Sequence, residues 1–219
     1  GPQFTGGGIG EQLISASGLR QGGGQRHWTG KSPAPDVFAA KADVLAPIEA
    51  LGGPAATVQV TADAPAWYHP GRSGAIRLGP KNVMAFFGEL HPRVLAAIGV
   101  KGQVAAFELA LDSIPLPKAK PTKTKPPLVV SDYQAVERDF AFVVERRVTA
   151  ADIIRAAQGA DRALIESVGV IDVYEGANIG EGRKSIAISV RLQPRDRTLT
   201  DVEIAEAHPV THAGTEPAF

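Results

Sequence analysis

Three consecutive pieces of the chain decide the fold: VERDFAFVVERRVTAADIIRAA at 136–157, LIESVGVIDVYEGANIGEGRKSIAISVRL at 164–192 and TLTDVEIAEA at 198–207. In the first, Phe140, Phe142 and Val144 alternate with Asp139, Ala141 and Val143, the period of a half-buried strand. Thr149 is placed to cap a helix running through Gly159, with Asp152 at the reciprocal capping position and Ile153 and Ile154 toward the core. The second piece reads as two strands, 170–174 and 185–192, joined by a Gly-rich loop. In the third, Thr200 and Glu203 form a capping box for a second helix.

Strand, helix, strand, strand, helix is most of a ferredoxin-like split β-α-β unit. Its last strand is expected to be missing, because HPVTHAGTEPAF at 208–219 is interrupted by proline and lacks strand character. One sheet face should be apolar through Ile186, Ile188, Val190 and Leu192 and should sit under the helices. The other carries Asp139, Ala141, Ser185, Ala187, Ser189 and Arg191, joined by Asp172 and Tyr174. Small residues there leave room for an unstacked base, which Tyr174 or Arg191 could stack on or bond. The alternative is an open antiparallel face that simply meets water.

The loop GANIGEGRKS is not a phosphate-binding loop, since Arg183 separates Gly182 from Lys184 and the loop joins two strands rather than a strand and a helix. Arg183 and Lys184 are instead candidate phosphate contacts on a mobile hairpin loop. His208 and His212 have metal-like spacing, yet Pro209 breaks the helix that would align them, so no metal site is assigned.

Composition narrows the function classes. The 219 residues contain no cysteine, which removes disulfides, thiolate catalysis and cysteine-based zinc sites. No apolar run approaches the ~20 residues of a membrane span, and no secretory leader is visible. Residues 1–127 hold 13 Lys and Arg against 8 Asp and Glu, whereas residues 128–219 hold 10 against 15. The second half therefore repels phosphate in bulk, and any nucleic-acid contact must come from local patches.

The first half reads as an antiparallel sheet with helices, so the chain as a whole is α+β. Strands are expected over 12–19, 57–60, 75–78, 83–87 and 104–109. A helix is expected over 36–51, capped by Asp36, stopped by Gly52 and kinked or shortened at Pro47. A short helix should open at His91-Pro92 and carry Val94, Leu95 and Ile98 on one side. His69, Arg72 and Ser73 in HPGRS, and Glu89 with His91 in GELHP, invite catalytic readings; without a placed carboxylate they specify no triad. With Trp67 they read better as structural or interface residues. The stretch 115–127, PLPKAKPTKTKPP, is an extended spacer and the expected domain boundary, its four lysines being either spacer or phosphate contacts.

The succession GPQF, QRHWTGK, WYHPGRSG, FGELHP, VERDFAFVV, DVYEG, EGRKS and TLTD resembles the C-terminal part of the bacterial phenylalanine–tRNA ligase beta subunit, in order, through about residue 207. The resemblance implies a non-catalytic class II synthetase core-like region over 1–114 that packs on the catalytic alpha subunit. It further implies the linker over 115–127 and a ferredoxin-fold anticodon-binding domain over 128–219, aberrant after about 207. The family's active site lies on the alpha subunit, so no catalytic or metal residue is carried over and the fragment alone should be inactive. ATP and Mg2+ are implied for the intact enzyme, with none bound by this fragment. Phenylalanine tRNA and the alpha subunit are the implied partners, in a cytoplasmic heterotetramer of two alpha and two beta subunits. Asp139, Asp172, Tyr174, Arg183, Lys184, Ser189 and Arg191 are the candidate RNA-binding residues, and Trp67, His69, Arg72, Glu89 and His91 the candidate subunit interface. The alternative is a non-enzymatic scaffold whose ferredoxin-like domain contacts protein rather than RNA.

Overall fold

The computed structural model describes residues 1–23, 27–30, 33–115, 127–128 and 130–200, together with the backbone of 216–217. It divides into two compact units, Gly1–Lys123 and Thr124–Phe219. The spacer expected over 115–127 lies, apart from Pro115 and Pro127, outside the described residues.

Unit 1 is a six-stranded sheet. Its strands are β1 (Pro2–Phe4), β2 (Gln12–Gln21), β3 (Gln59–Thr61), β4 (Tyr68–Leu78), β5 (Asn82–Leu90) and β6 (Val104–Ala110). They lie in the order β1-β2-β6-β5-β4-β3, every neighbouring pair antiparallel. Helix α1 (Val37–Ala50) covers β5 and β6. Asp36 caps it by accepting from the Ala39 N–H at 2.8 Å. Its buried stripe, Ala40, Val44 and Ile48, recurs every four residues and packs on Ile76, Met84, Phe87, Ala105 and Leu109. Of the kink or early end expected at Pro47, the early end does not occur. The chain runs on to Ala50 and closes through Gly52 at φ 75°, with Gly53 N–H donating to Ile48 O and Gly52 N–H to Glu49 O. Burial of the stripe outweighs the single helical hydrogen bond that proline removes.

Strands β4 and β5 reach well beyond the stretches expected for them. HPGRS belongs to β4 and GEL to β5, so Arg72 and Glu89 are strand residues rather than loop residues. The register of β4 against β5 shifts between Tyr68 and Ser73, and Pro70, which has no N–H to give, falls in that irregular stretch. After β5 the short helix α2 (Pro92–Ala97) begins where expected, capped by His91 with Pro92 in its first turn.

Unit 2 contains β7 (Val136–Glu145), α3 (Ala150–Ala160), β8 (Ile165–Tyr174), β9 (Arg183–Leu192) and the two-residue β10 (Glu216–Pro217). The sheet order is β10-β7-β9-β8. Both β7 and β8 run antiparallel to β9, which therefore lies between two parallel strands joined through α3, the split β-α-β arrangement. The expected loss of the last strand needs correction. Glu216 and Pro217 pair with Val143 and Phe142 on the β7 edge, because a free edge will accept even two residues of backbone. The helix expected after Thr200 lies outside the described residues.

The cap of α3 forms as read. Asp152 N–H donates to Thr149 Oγ1 at 3.2 Å, and Thr149 N–H returns a bond to Asp152 at 3.4 Å. The hydrogen bond from Thr149 holds the Asp152 carboxyl below the usual carboxylate range. Ile153 and Ala157 then face Phe142, Val144, Ile186, Ile188, Val190 and Leu192 across the core. Gly159, near the end of this helix, has open space where a Cβ would stand and needs no positive φ. Gly159→Ala is expected to stabilise the helix by ~0.5–1 kcal/mol through reduced freedom of the unfolded chain, read as slower amide exchange across 150–160.

Candidate nucleic-acid interface

The open face of unit 2 is fixed by register. In the β7–β9–β8 ladder Asp139 stands opposite Ser189 and Gly169, Ala141 opposite Ala187 and Asp172, and Val143 opposite Ser185 and Tyr174. Directly opposed residues share a face, so Asp139, Ser189, Asp172 and Tyr174 lie together on the side away from Ile186 and Ile188. Asp139 and Asp172 are exposed, and the Tyr174 ring is about half exposed. Its hydroxyl lies over Gly176, where an added Cβ would come within 2.2 Å of it. Gly176 therefore lets the ring lie along the strand end instead of swinging free.

The candidate cations divide. Arg191 shares the open face, but Nη1 is bonded to Glu137 at 2.9 Å and Nε to Glu166 at 2.6 Å. Hydrogen bonding to Glu166 and then to Glu137 raises its already high pKa. Arg191 is a cross-strand brace, and a base or phosphate would have to compete with two carboxylates for it. Arg183 lies two residues before Ser185, on the open side and exposed. Lys184 alternates with it and falls on the face of Ile186, half-buried beside Val144. The structure thus unites Asp139, Asp172, Tyr174, Ser189, Arg191 and Arg183 and turns Lys184 away.

The candidates in unit 1 form a different kind of cluster. Glu89 is buried, 5% exposed, and its carboxylate meets Arg72 Nε at 2.6 Å. This pair forms part of the wall of a cavity of ≈ 330 Å³ shared with Pro92, Leu95, Val100 and Gln103. The His69 and His91 rings stack at 6.4 Å. Each Nδ1 accepts a backbone N–H, from Gly71 and Arg93 respectively, both at 3.1 Å. Ser73 Oγ donates to the His69 carbonyl at 2.6 Å, so its hydroxyl is bound to backbone rather than to a base. The arrangement offers no activated nucleophile. Among the described residues no three His, Asp or Glu side chains gather to hold a metal ion.

Glu108 escaped the sequence reading. It accepts from Trp67 Nε1 at 2.7 Å and from the Tyr68 hydroxyl at 3.0 Å, tying both aromatics to β6. Burial of Tyr68, then the Glu108 charge and hydrogen bond, push the phenol far above its usual range. The unfolded chain releases this proton near pH ~10 while the folded chain keeps it. Stability from this contact is therefore complete below about pH 10 and falls as pH rises further, by ~1.4 kcal/mol per unit. Tyr68→Phe should remove that slope, measured by urea unfolding between pH 8 and 11. Both tryptophans, Trp28 and Trp67, lie in unit 1 and report on it by fluorescence.

Residues 9–111 match the family model of the phenylalanyl tRNA synthetase beta chain CLM domain, and residues 131–213 that of the ferredoxin-fold anticodon binding domain. A phenylalanine–tRNA ligase beta subunit from Rhodospirillum rubrum is 56% identical over 205 residues, covering 93% of this chain and 26% of the relative. Those of Bradyrhizobium diazoefficiens and Rhodopseudomonas palustris are 52% and 54% identical, each over 89% of this chain and 25% of the relative. The chain thus spans about a quarter of the length of the curated relatives it matches. Unit 1 thus carries a match to the phenylalanyl tRNA synthetase beta chain CLM domain and unit 2 a match to the ferredoxin-fold anticodon binding domain, in a chain similar over most of its length to the C-terminal part of phenylalanine–tRNA ligase beta subunits.

Proposed function

We propose that this chain serves aminoacylation of phenylalanine tRNA without performing it. Unit 1 packs on a catalytic alpha subunit, and the open face of unit 2 binds the anticodon region of the tRNA. The observation that carries the second role is the coincidence of an open, small-residue sheet face with Tyr174 and Asp172 at one end of it. A tyrosine ring supplies a stacking surface for an unpaired base, the small Ala141, Ala187 and Ser185 leave it room, and Asp172 can accept from a base edge. For unit 1 the support is the absence of an activated nucleophile around His69 and Ser73, set beside the exposed Trp67 edge.

In this reading Trp67, His69, Arg72, Glu89 and His91 shape the alpha-facing surface, and Asp139, Asp172, Tyr174, Arg183, Ser189 and Arg191 border the RNA, whereas Lys184 faces the other way. ATP and Mg2+ belong to the whole ligase, a cytoplasmic assembly of two alpha and two beta subunits, and no step through them falls to this chain's residues. Among the described residues no helix is long and apolar enough to cross a membrane.

Fluorescence anisotropy with a labelled anticodon stem-loop of phenylalanine tRNA tests the RNA role. Tyr174→Ala should weaken binding by roughly 5- to 150-fold, the ~1–3 kcal/mol of one base stacked on an aromatic ring. Equal affinity of the variant and the parent chain would contradict it. Aminoacylation by the chain alone should give no turnover, and turnover without an alpha subunit would contradict the non-catalytic assignment.

A further inference from the structure

We propose that Arg146 and Arg183 form a two-armed clamp for the phosphate backbone of the RNA strand whose base stacks on Tyr174, with Glu175 as a built-in competitor that holds Arg146 in position. This rests on the RNA reading of the open face and adds residues that the face alone does not reveal.

Three chain segments meet at one end of the sheet. Arg183 opens β9 opposite Glu145, the last residue of β7. In the turn that follows, Arg146 N–H donates to Gly182 O at 2.8 Å, which brings the turn onto the loop before β9. The Arg146 guanidinium then reaches Glu175 through Nη2 at 2.5 Å, and Glu175 directly follows Tyr174. Arg183 lies on the same face as Tyr174, one step along from the Ser185 that pairs with it. Arg183 on the central strand and the Arg146 turn beyond it thus lie at the end of the sheet where Tyr174 sits.

Charge points to the same place. Residues 128–219 hold 10 cations against 15 anions, so a polyanion is repelled except where cations converge. At the opposite end of the open face Arg191 is held by both Glu137 and Glu166. Arg183 is exposed and makes no ion pair among the described residues. Arg146 is largely exposed and gives Glu175 a single contact; a guanidinium carries five N–H donors, so the pair aims the head without exhausting it. Arg147 is engaged by Glu145 at 2.5 Å and stays at the margin, while Glu181 stands in the adjoining loop. A planar fork matches a phosphate as well as a carboxylate, which is why phosphate can replace Glu175 as the partner of Arg146.

The test uses the whole chain and the labelled anticodon stem-loop, titrated over a series of KCl concentrations. In the Arg146→Ala, Arg183→Ala double variant, affinity at low salt should drop ~10- to 100-fold and the slope of log K against log [KCl] should shrink by ~1–2, as one or two phosphate contacts are lost. Arg183→Lys should keep the slope, because the charge remains. Glu175→Gln should tighten binding ~2- to 5-fold by removing the competitor. Surface replacements of this kind leave stability nearly unchanged, which amide exchange across β7 and β9 verifies. A double variant with the parent's salt slope, alongside a Tyr174→Ala variant that binds weakly, would overturn the clamp and leave the RNA reading intact. A parent chain that binds no stem-loop would overturn both.

Discussion

Gly88→Ala is expected to lower the stability of unit 1 by ~3–5 kcal/mol, the sum of a glycine-only backbone conformation and a collision with neighbouring backbone. Gly88 sits in β5 at φ 146°, a conformation that residues with a Cβ rarely adopt. Across the ladder it opposes Ser73, and an added Cβ would lie 2.5 Å from Arg72 O and from Ser73 Cα. Neither is a flexible side-chain tip, so the strand itself must move. The glycine stands directly before the buried Glu89, whose partner is Arg72 on the same neighbouring strand. Shifting β5 from β4 would part that pair and leave a carboxylate in the interior, which compounds the loss. Urea unfolding followed by tryptophan fluorescence should show the midpoint falling sharply. A midpoint within the error of the parent would mean that the β4–β5 contact is not closed as described.

Ile188→Ala should cost unit 2 ~2–5 kcal/mol, while Ser189→Ala, one residue along, should stay within ~0.5 kcal/mol. Ile188 is fully buried, faces Phe140 and Val170 across its two ladders, and packs in the cluster with Phe142, Ile153, Ala157 and Ile186. Truncation removes three carbons from a site whose neighbours are held by a continuous ladder and cannot collapse inward. Ser189 points to the open face and is only partly covered. The contrast tests the two-faced character of β9, on which every claim about the RNA surface depends. Amide exchange over 183–192 is the readout. Protection should drop by roughly 30-fold or more in the first variant and stay unchanged in the second. Equal effects at the two positions would contradict the face assignment.

The alternation in 185–192 was enough to read both faces of unit 2, because the pleat allows only one distribution of side chains once one face is apolar. The cap of α3 was equally legible, since Thr149 and Asp152 act within a single turn. What escaped notice depends on neighbours distant in sequence. Arg191 looked free to meet a base. Its two carboxylates come from residues 25 and 54 positions away, one of them beside a register shift between Ile165 and Ser167 that periodicity does not encode. Glu108 could not be linked to Trp67 and Tyr68 without knowing that β4 and β6 flank β5. Lys184 follows Arg183 directly, and neighbours on a strand point to opposite faces. The brief β10 has no propensity signal at all; its pairing comes from the edge that β7 offers.

In the proposed function, unit 2 reads the bases of an anticodon rather than merely attracting RNA. The most direct measurement compares the affinity of the chain for the phenylalanine anticodon stem-loop with that for the same stem carrying a different anticodon, at one fixed salt concentration. Base contacts on the open face predict that the native anticodon binds at least ~5-fold more tightly, since a single lost base contact is worth ~1–3 kcal/mol. Equal affinity for the two stem-loops would contradict it and leave only a surface that holds phosphate.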